Sequence, residues 1–144
     1  MTHPLNSAKE TTIYIPRTLA NRLLTLAQLA PQTEICGLIS TQPSNKYRVY
    51  PIDNIAADKA CVFEMDPTQQ ISAFKTIREE QETLFAVFHS HPHSAATPSN
   101  KDIDDAAYES ALNIIISLST RGVLDMRGYF YQNNLARPVE LVIE

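Results

Sequence analysis

The sequence predicts an α/β fold in one domain, with a mixed central sheet of about six to eight strands flanked by two or three helices. Stretches rich in β-formers alternate with stretches of helical period, and the connections between them are short. At 144 residues, 44% of them hydrophobic, the chain has the size of one domain around one core. Residues 1–144 are therefore read as a single unit, with 1–10, including His3, as a poorly ordered lead.

Each element has its own signal. Residues 11–15 read as a strand, and 16–30 as a helix in which Leu19, Leu23, Leu24, Leu26 and Ala27 roughly follow the 3.6-residue period before Pro31 stops it. Residues 34–40 and 47–52 are expected to form a hairpin, with Gly37 marking a close backbone approach inside the first strand. Residues 55–65 mix a short helical period with an apolar patch and give no clear element. Asp66 and Pro67 open the next helix as N-cap and first helical residue, with Ile71, Phe74 and Ile77 as its expected buried face. Residues 84–88 read as a buried strand ending in His89 and His91, and 102–111 as a helix that Ser99 caps. Strands follow near 113–118, 124–132 and 139–143, with turns at Arg121-Gly122 and Asn133-Asn134.

The segment from His89 to Asp102 carries the chemistry. Strand side chains alternate with period two, so both imidazoles leave one face, and Pro92 discourages the strand from continuing past them. Catalytic zinc keeps three protein ligands, at about 2.0–2.2 Å for nitrogen and oxygen, and leaves one position open. His89, His91 and Asp102 would supply that set. Taken alone, Ser99-x-x-Asp102 is a capping-box variant, and a His-x-His pair often bonds only neighbouring carbonyls. Their combination at fixed offset is what points to metal. His93 shares the parity of the other two histidines, but a three-histidine site would need the strand to run through Pro92, so His93 is read as a loop residue near the mouth.

Zinc hydrolysis also needs a general base, usually a carboxylate. No His-Glu-x-x-His helix is present, and the best upstream candidate is Glu34, a charged residue opening an apolar strand. From chemistry alone, a carboxylate at the lip of the core and an ordinary solvated strand start are equally compatible with it.

At this point Glu34-Ile-Cys-Gly-Leu-Ile39, followed by His89-x-His91-Pro92-(x5)-Pro98-Ser99-x-x-Asp102, resembles the JAMM (MPN+, JAB1/Mov34/Pad1) zinc metallopeptidases. The similarity extends to Asp105-Ala-Ala-Tyr108 and Asn113-Ile-Ile-Ile-Ser-Leu118 and so covers nearly the whole chain. It implies the MPN/JAB1, cytidine-deaminase-like architecture, with one zinc ion per chain held by His89, His91 and Asp102. It implies Glu34 as the base for the water in the fourth position and Ser99 as hydrogen-bond donor to the oxyanion. Short connections resemble the compact prokaryotic branch, associated with small ubiquitin-like sulfur carriers that end in Gly-Gly. The expected activity is hydrolysis of an amide or isopeptide bond after such a tail, admitted by strand addition. Two other readings are a non-catalytic zinc-supported interaction module and a zinc peptidase acting on small or cell-wall peptides. An intact Glu34 and Ser99 count against the first, since neither is needed to bind metal. Oligomeric state stays open, a homodimer included.

Composition removes other classes. A net charge of −4 and the absence of any Lys/Arg run provide no footprint for nucleic acid or an anionic membrane. No apolar stretch approaches a membrane span, and the first ten residues lack a signal-peptide core, so a cytoplasmic protein is expected. Cys36 and Cys61 form no disulfide framework or Cys-x-x-Cys pair and are expected to be buried small hydrophobes; a zinc deaminase would need His-x-Glu and Pro-Cys-x-x-Cys. Cys36 shares a strand face with Glu34 and is assigned no role.

Overall fold

Along the chain the periodic stretches become β1 (Thr12–Ile15), α1 (Arg17–Leu29), β2 (Cys36–Thr41), β3 (Tyr47–Ile52), α2 (Pro67–Glu79), β4 (Thr83–His91), α3 (Asn100–Asp104), β5 (Leu112–Ser117), β6 (Asp125–Gln132) and β7 (Leu135–Ile143). The computed structural model describes residues 11–144; the expectation for 1–10 and His3 lies outside them. Seven strands form one mixed sheet in the order β1-β7-β6-β5-β4-β2-β3. β4 sits centrally, antiparallel to β2 and parallel to β5. This explains the nearly continuous apolar run of β5, which is buried throughout, because a parallel strand pair is covered on both faces.

The two faces carry different helices. On one, Leu19, Leu23 and Ala27 of α1 pack on Ile39, Phe88 and Ile114. On the other, Ala73 of α2 packs on Leu38 and Ile52, with Phe74 and Val87 at the margin. His89 and His91 follow Val87 at period two and open onto this second face, beyond the end of α2's cover. Gly37 is where β2 must pass close to its neighbours. A Cβ there would collide with the carbonyl oxygen of Tyr50 and come within 2.6 Å of the Phe88 ring. At the other end of these strands Glu82 accepts hydrogen bonds from Ser40 Oγ (2.6 Å), Tyr50 Oη (2.5 Å) and Arg48 Nη1 (3.0 Å), tying β2, β3 and the start of β4 together.

Most element expectations hold, including Asp66 as N-cap with Pro67 at the first helical position. The turn at Asn133-Asn134 is built from two left-handed residues, φ 53° and 61°, and joins β6 to a β7 that starts at Leu135, four residues earlier than expected. Three expectations are corrected. Ile71 is 69% exposed; the inward positions of α2 are Ala73 and Ile77. The helix expected over 102–111 is the five-residue α3, ending at Asp104. Asp104 and Asp105 place like charge at its C-terminus, where the helix dipole is unfavourable to anions. Tyr108 is instead drawn across to α2, where its hydroxyl accepts from Gln70 Nε2 at 2.7 Å and its ring meets Phe74. Cys61 is exposed, turned out by a tight bend in which its N–H bonds the Asp58 carbonyl, whereas Cys36 is buried as expected. Among the described residues no helix is long and apolar enough to cross a membrane.

Candidate metal centre

His89 and His91 end β4 on one side of the backbone, and Ser90 between them faces the other way, where it does separate work. Its hydroxyl accepts from Ile35 N–H at 2.9 Å, and its own N–H donates to the Ile35 carbonyl at 3.0 Å. These two bonds fasten the residue after Glu34 to the histidine strand. In this way a carboxylate more than fifty positions upstream reaches the site. Glu34 is buried, 4% exposed, which settles the two readings left open by the sequence in favour of the core.

The remaining donor comes from α3. Ser99 Oγ accepts from Asp102 N–H at 3.0 Å while Ser99 N–H donates to Asp102 Oδ2 at 2.9 Å, a reciprocal capping box that aims the carboxylate at the strand end. The capping reading of Ser99 and Asp102 is therefore correct, and it coexists with the approach to the histidines. Because Ser99 Oγ serves the helix as an acceptor, its hydroxyl hydrogen stays free to donate.

His89 Nε2, His91 Nε2 and Asp102 Oδ2 form a nearly equilateral triangle with edges of 3.1, 3.2 and 3.3 Å. Tetrahedral zinc with bonds of about 2.0–2.2 Å spaces its ligand atoms about 3.3–3.6 Å apart, so the triangle is close to one face of such a site. Glu34 joins the group: one ligand-type atom from each of the four residues lies within 4.8 Å of the others. Glu34 Oε1 is buried without a hydrogen-bond partner, a costly arrangement for a carboxylate unless a further group is received there. His91 Nδ1 lies 2.7 Å from the Ala95 carbonyl, a bond that orients the ring and leaves Nε2 for the centre. Phe63 stacks on the His89 ring with centroids 4.5 Å apart. These residues fit a metal ion.

Electrostatics follow from burial and mutual proximity. Burial pushes the Glu34 carboxyl up to about 7. Burial also opposes ionisation of Asp102, but hydrogen bonds to His89 and His91 outweigh it and hold that carboxyl well below the usual carboxylate range. Burial lowers the pKa of His89. For His91 burial acts in the same sense, but Asp102 and the Ala95 carbonyl favour the charged ring and the net direction is upward.

A cavity of about 630 Å³ opens beside His89 and Asp102. The loop over residues 54–65 forms one wall, through Val62 and Phe63, and the segment after α3 forms another, through Tyr108. Tyr131 lies on it with a buried hydroxyl that has no partner. His93 is exposed and stands outside the four-residue group. Cys36 donates its thiol hydrogen to the Ile52 carbonyl. Phe63, Tyr131 and Asn54 were not singled out by the sequence, because their significance depends on partners from distant segments. The poorly classifiable stretch 55–65 was the one signal available, since a segment without its own period must be held by something else.

The family model for prokaryotic homologs of the JAB domain matches residues 16–129. A desampylase of Haloferax volcanii is 27% identical over 89 residues, 60% of this chain and 64% of the relative. A probable TtuB-protein conjugate cleaving protease of Thermus thermophilus is 31% identical over 97 residues, 67% of this chain and 64% of the relative. The chain thus spans just under two thirds of the length of these curated relatives. Among solved structures, a protein of Desulfitobacterium hafniense is 26% identical with a TM-score of 0.77, covering 92% of this chain and 93% of its own.

Proposed function

Because the chain belongs to the family of prokaryotic homologs of the JAB domain, we propose that it is a zinc-dependent hydrolase of an amide or isopeptide bond. The bond cut is the one after the C-terminal Gly-Gly tail of a ubiquitin-like or sulfur-carrier protein. One observation carries the reading: three ligand atoms at tetrahedral-face spacing, with a buried, unpartnered carboxylate oxygen in the same group. A non-catalytic module needs only the first of these. The names of the desampylase and the TtuB-conjugate protease support the substrate class.

His89, His91 and Asp102 would hold the ion. When bound, zinc supplies Lewis acidity toward a carbonyl oxygen and lowers the pKa of a water to about 7. Glu34, buried beside the three ligand-type atoms, accepts the proton of the attacking water and delivers it to the amine as the C–N bond breaks. Ser99 donates its free hydroxyl hydrogen to the oxygen on which negative charge develops. The cavity receives the extended tail, its apolar wall excluding water from the reacting bond.

The test is to incubate zinc-loaded protein with a sulfur carrier joined through its terminal glycine to a lysine-containing peptide, and to follow release by mass spectrometry. Release that a chelator abolishes and zinc restores is expected. If no tail-bearing substrate is cut, the proposal is rejected; equal cleavage of short peptides lacking the tail would move the substrate class to small peptides.

A further inference from the structure

The backbone of Glu34 is not held by a sheet neighbour. Its N–H donates to the Lys59 carbonyl at 2.7 Å, and its carbonyl accepts from Asn54 Nδ2 at 2.9 Å. Both partners belong to the loop that walls the cavity. Asn54 uses its full carboxamide there. Nδ2 also donates to the Val62 carbonyl at 3.0 Å, and Oδ1 accepts from the N–H groups of Ala56 and Glu64, each at 3.0 Å. A primary amide has two donor hydrogens and two acceptor lone pairs, and all four are engaged.

These bonds close residues 54–65 on themselves. Ile55 N–H reaches the Glu64 carbonyl at 2.8 Å, and Asn54 bridges Met65 at the loop's base. The same loop sets Phe63 on the ring of His89. A single side chain therefore joins the peptide of Glu34, the cavity wall and the aromatic cover of one histidine.

We propose that Asn54 is a positioning residue, whose carboxamide ties the cavity wall to the backbone of Glu34 and so keeps that carboxylate in place beside the triad. The kinetic part of this rests on the function proposed above; the geometric part does not. Asn54 bonds none of the triad, so it acts through the groups it holds, the Glu34 peptide first and the loop that carries Phe63 second.

Asn54→Asp preserves shape and the acceptor oxygen while replacing the amide donors with an oxygen, leaving the carbonyls of Glu34 and Val62 facing an acceptor. The kcat for tail cleavage should fall by about 10–100-fold, since a shift of order 1 Å in a catalytic group costs about that much. The KM should change less than about threefold, and zinc should remain at one per chain by elemental analysis. Independently of activity, the Glu34 amide, which donates to Lys59 of the loop that Asn54 holds closed, should exchange with solvent at least about tenfold faster by NMR, while the Ile35 amide, held by Ser90 Oγ, should not change. Unchanged Glu34 exchange overturns the proposal. So does a loss of kcat accompanied by loss of zinc or by faster exchange throughout β2, which would mark Asn54 as purely structural. If the wild-type protein cuts no substrate, the function proposed above fails and the exchange comparison alone decides the geometric claim. Should Asn54→Asp not fold, Asn54→Ser, which keeps one donor and one acceptor, serves in the same measurements.

Discussion

Glu34 and Tyr131 both bury an oxygen without a partner, but the surroundings give the two opposite consequences. Glu34 shares its space with three ligand-type atoms, a position that fits the proposed reaction; Tyr131, 6% exposed on the wall of the same cavity, packs its ring with Ala96 and Ile115. Glu34→Gln should leave one zinc per chain, because the triad is untouched, and reduce cleavage below detection. A variant that keeps most activity would remove Glu34 from the mechanism. Tyr131→Phe deletes a hydroxyl that is desolvated without compensation, and the metal-free protein should gain about 1 kcal/mol in urea unfolding. A loss of stability would mean that the hydroxyl has a partner after all. Legibility at this scale followed sequence distance. His89, His91, Ser99 and Asp102 lie in one segment whose spacing alone suggested their meeting. Glu34 needed the family resemblance, and Asn54 and Tyr131 could not be read because nothing local distinguishes a saturated amide or an orphaned hydroxyl.

Elements were legible where period and punctuation agreed and failed where a tertiary contact outweighed both. Asp66-Pro67 set the start of α2 correctly because capping is decided within three residues, through Asp66 Oδ1 accepting from Thr68 N–H at 2.9 Å. The face of α2 was misjudged at Ile71: the helix touches the sheet along Ala73 and Ile77, a small stripe that leaves Ile71 outside. The Ser99 cap predicts a helix through residue 111, but a five-residue α3 is too short to propagate against the pull of Tyr108 toward Gln70. The sequence marks Gly37 as a close approach, and the tight fit of β2 between the Tyr50 carbonyl oxygen and the Phe88 ring bears this out. Gly37→Ala should cost about 3 kcal/mol or more in urea unfolding, above the usual range for an inserted methyl group, because one obstacle is backbone and cannot rotate away. A cost below 1 kcal/mol would mean that β2 can shift, and Glu34, three residues upstream, would be expected to move with it.

At the scale of the whole molecule the site lies at one end of the β2–β4 pair and Glu82 at the other, so the strands that present Glu34 and the histidines are pinned at both ends. Glu82 is buried, which disfavours its charge, but hydrogen bonds from Ser40, Tyr50 and Arg48 outweigh that and lower its pKa below the ordinary 4.5. A carboxyl whose pKa is lower in the folded state contributes stability that is fully present above the unfolded value and is lost as pH falls through the folded one. The window is therefore below about pH 4.5. Arg48 is 42% exposed and its pairing is screened by solvent, so the two hydroxyl donors account for most of the effect. Glu82→Gln, measured on metal-free protein, should be less stable than wild type by about 1–3 kcal/mol at pH 7. The gap should narrow as pH falls below 4.5, because the wild-type carboxyl then approaches the neutrality of the amide. Comparing the two proteins cancels the titration of His89, His91 and Asp102, which both retain. Urea unfolding from pH 7 to pH 3 measures the gap directly, and a gap constant across that range would show that ionised Glu82 is not what holds the far end of these strands.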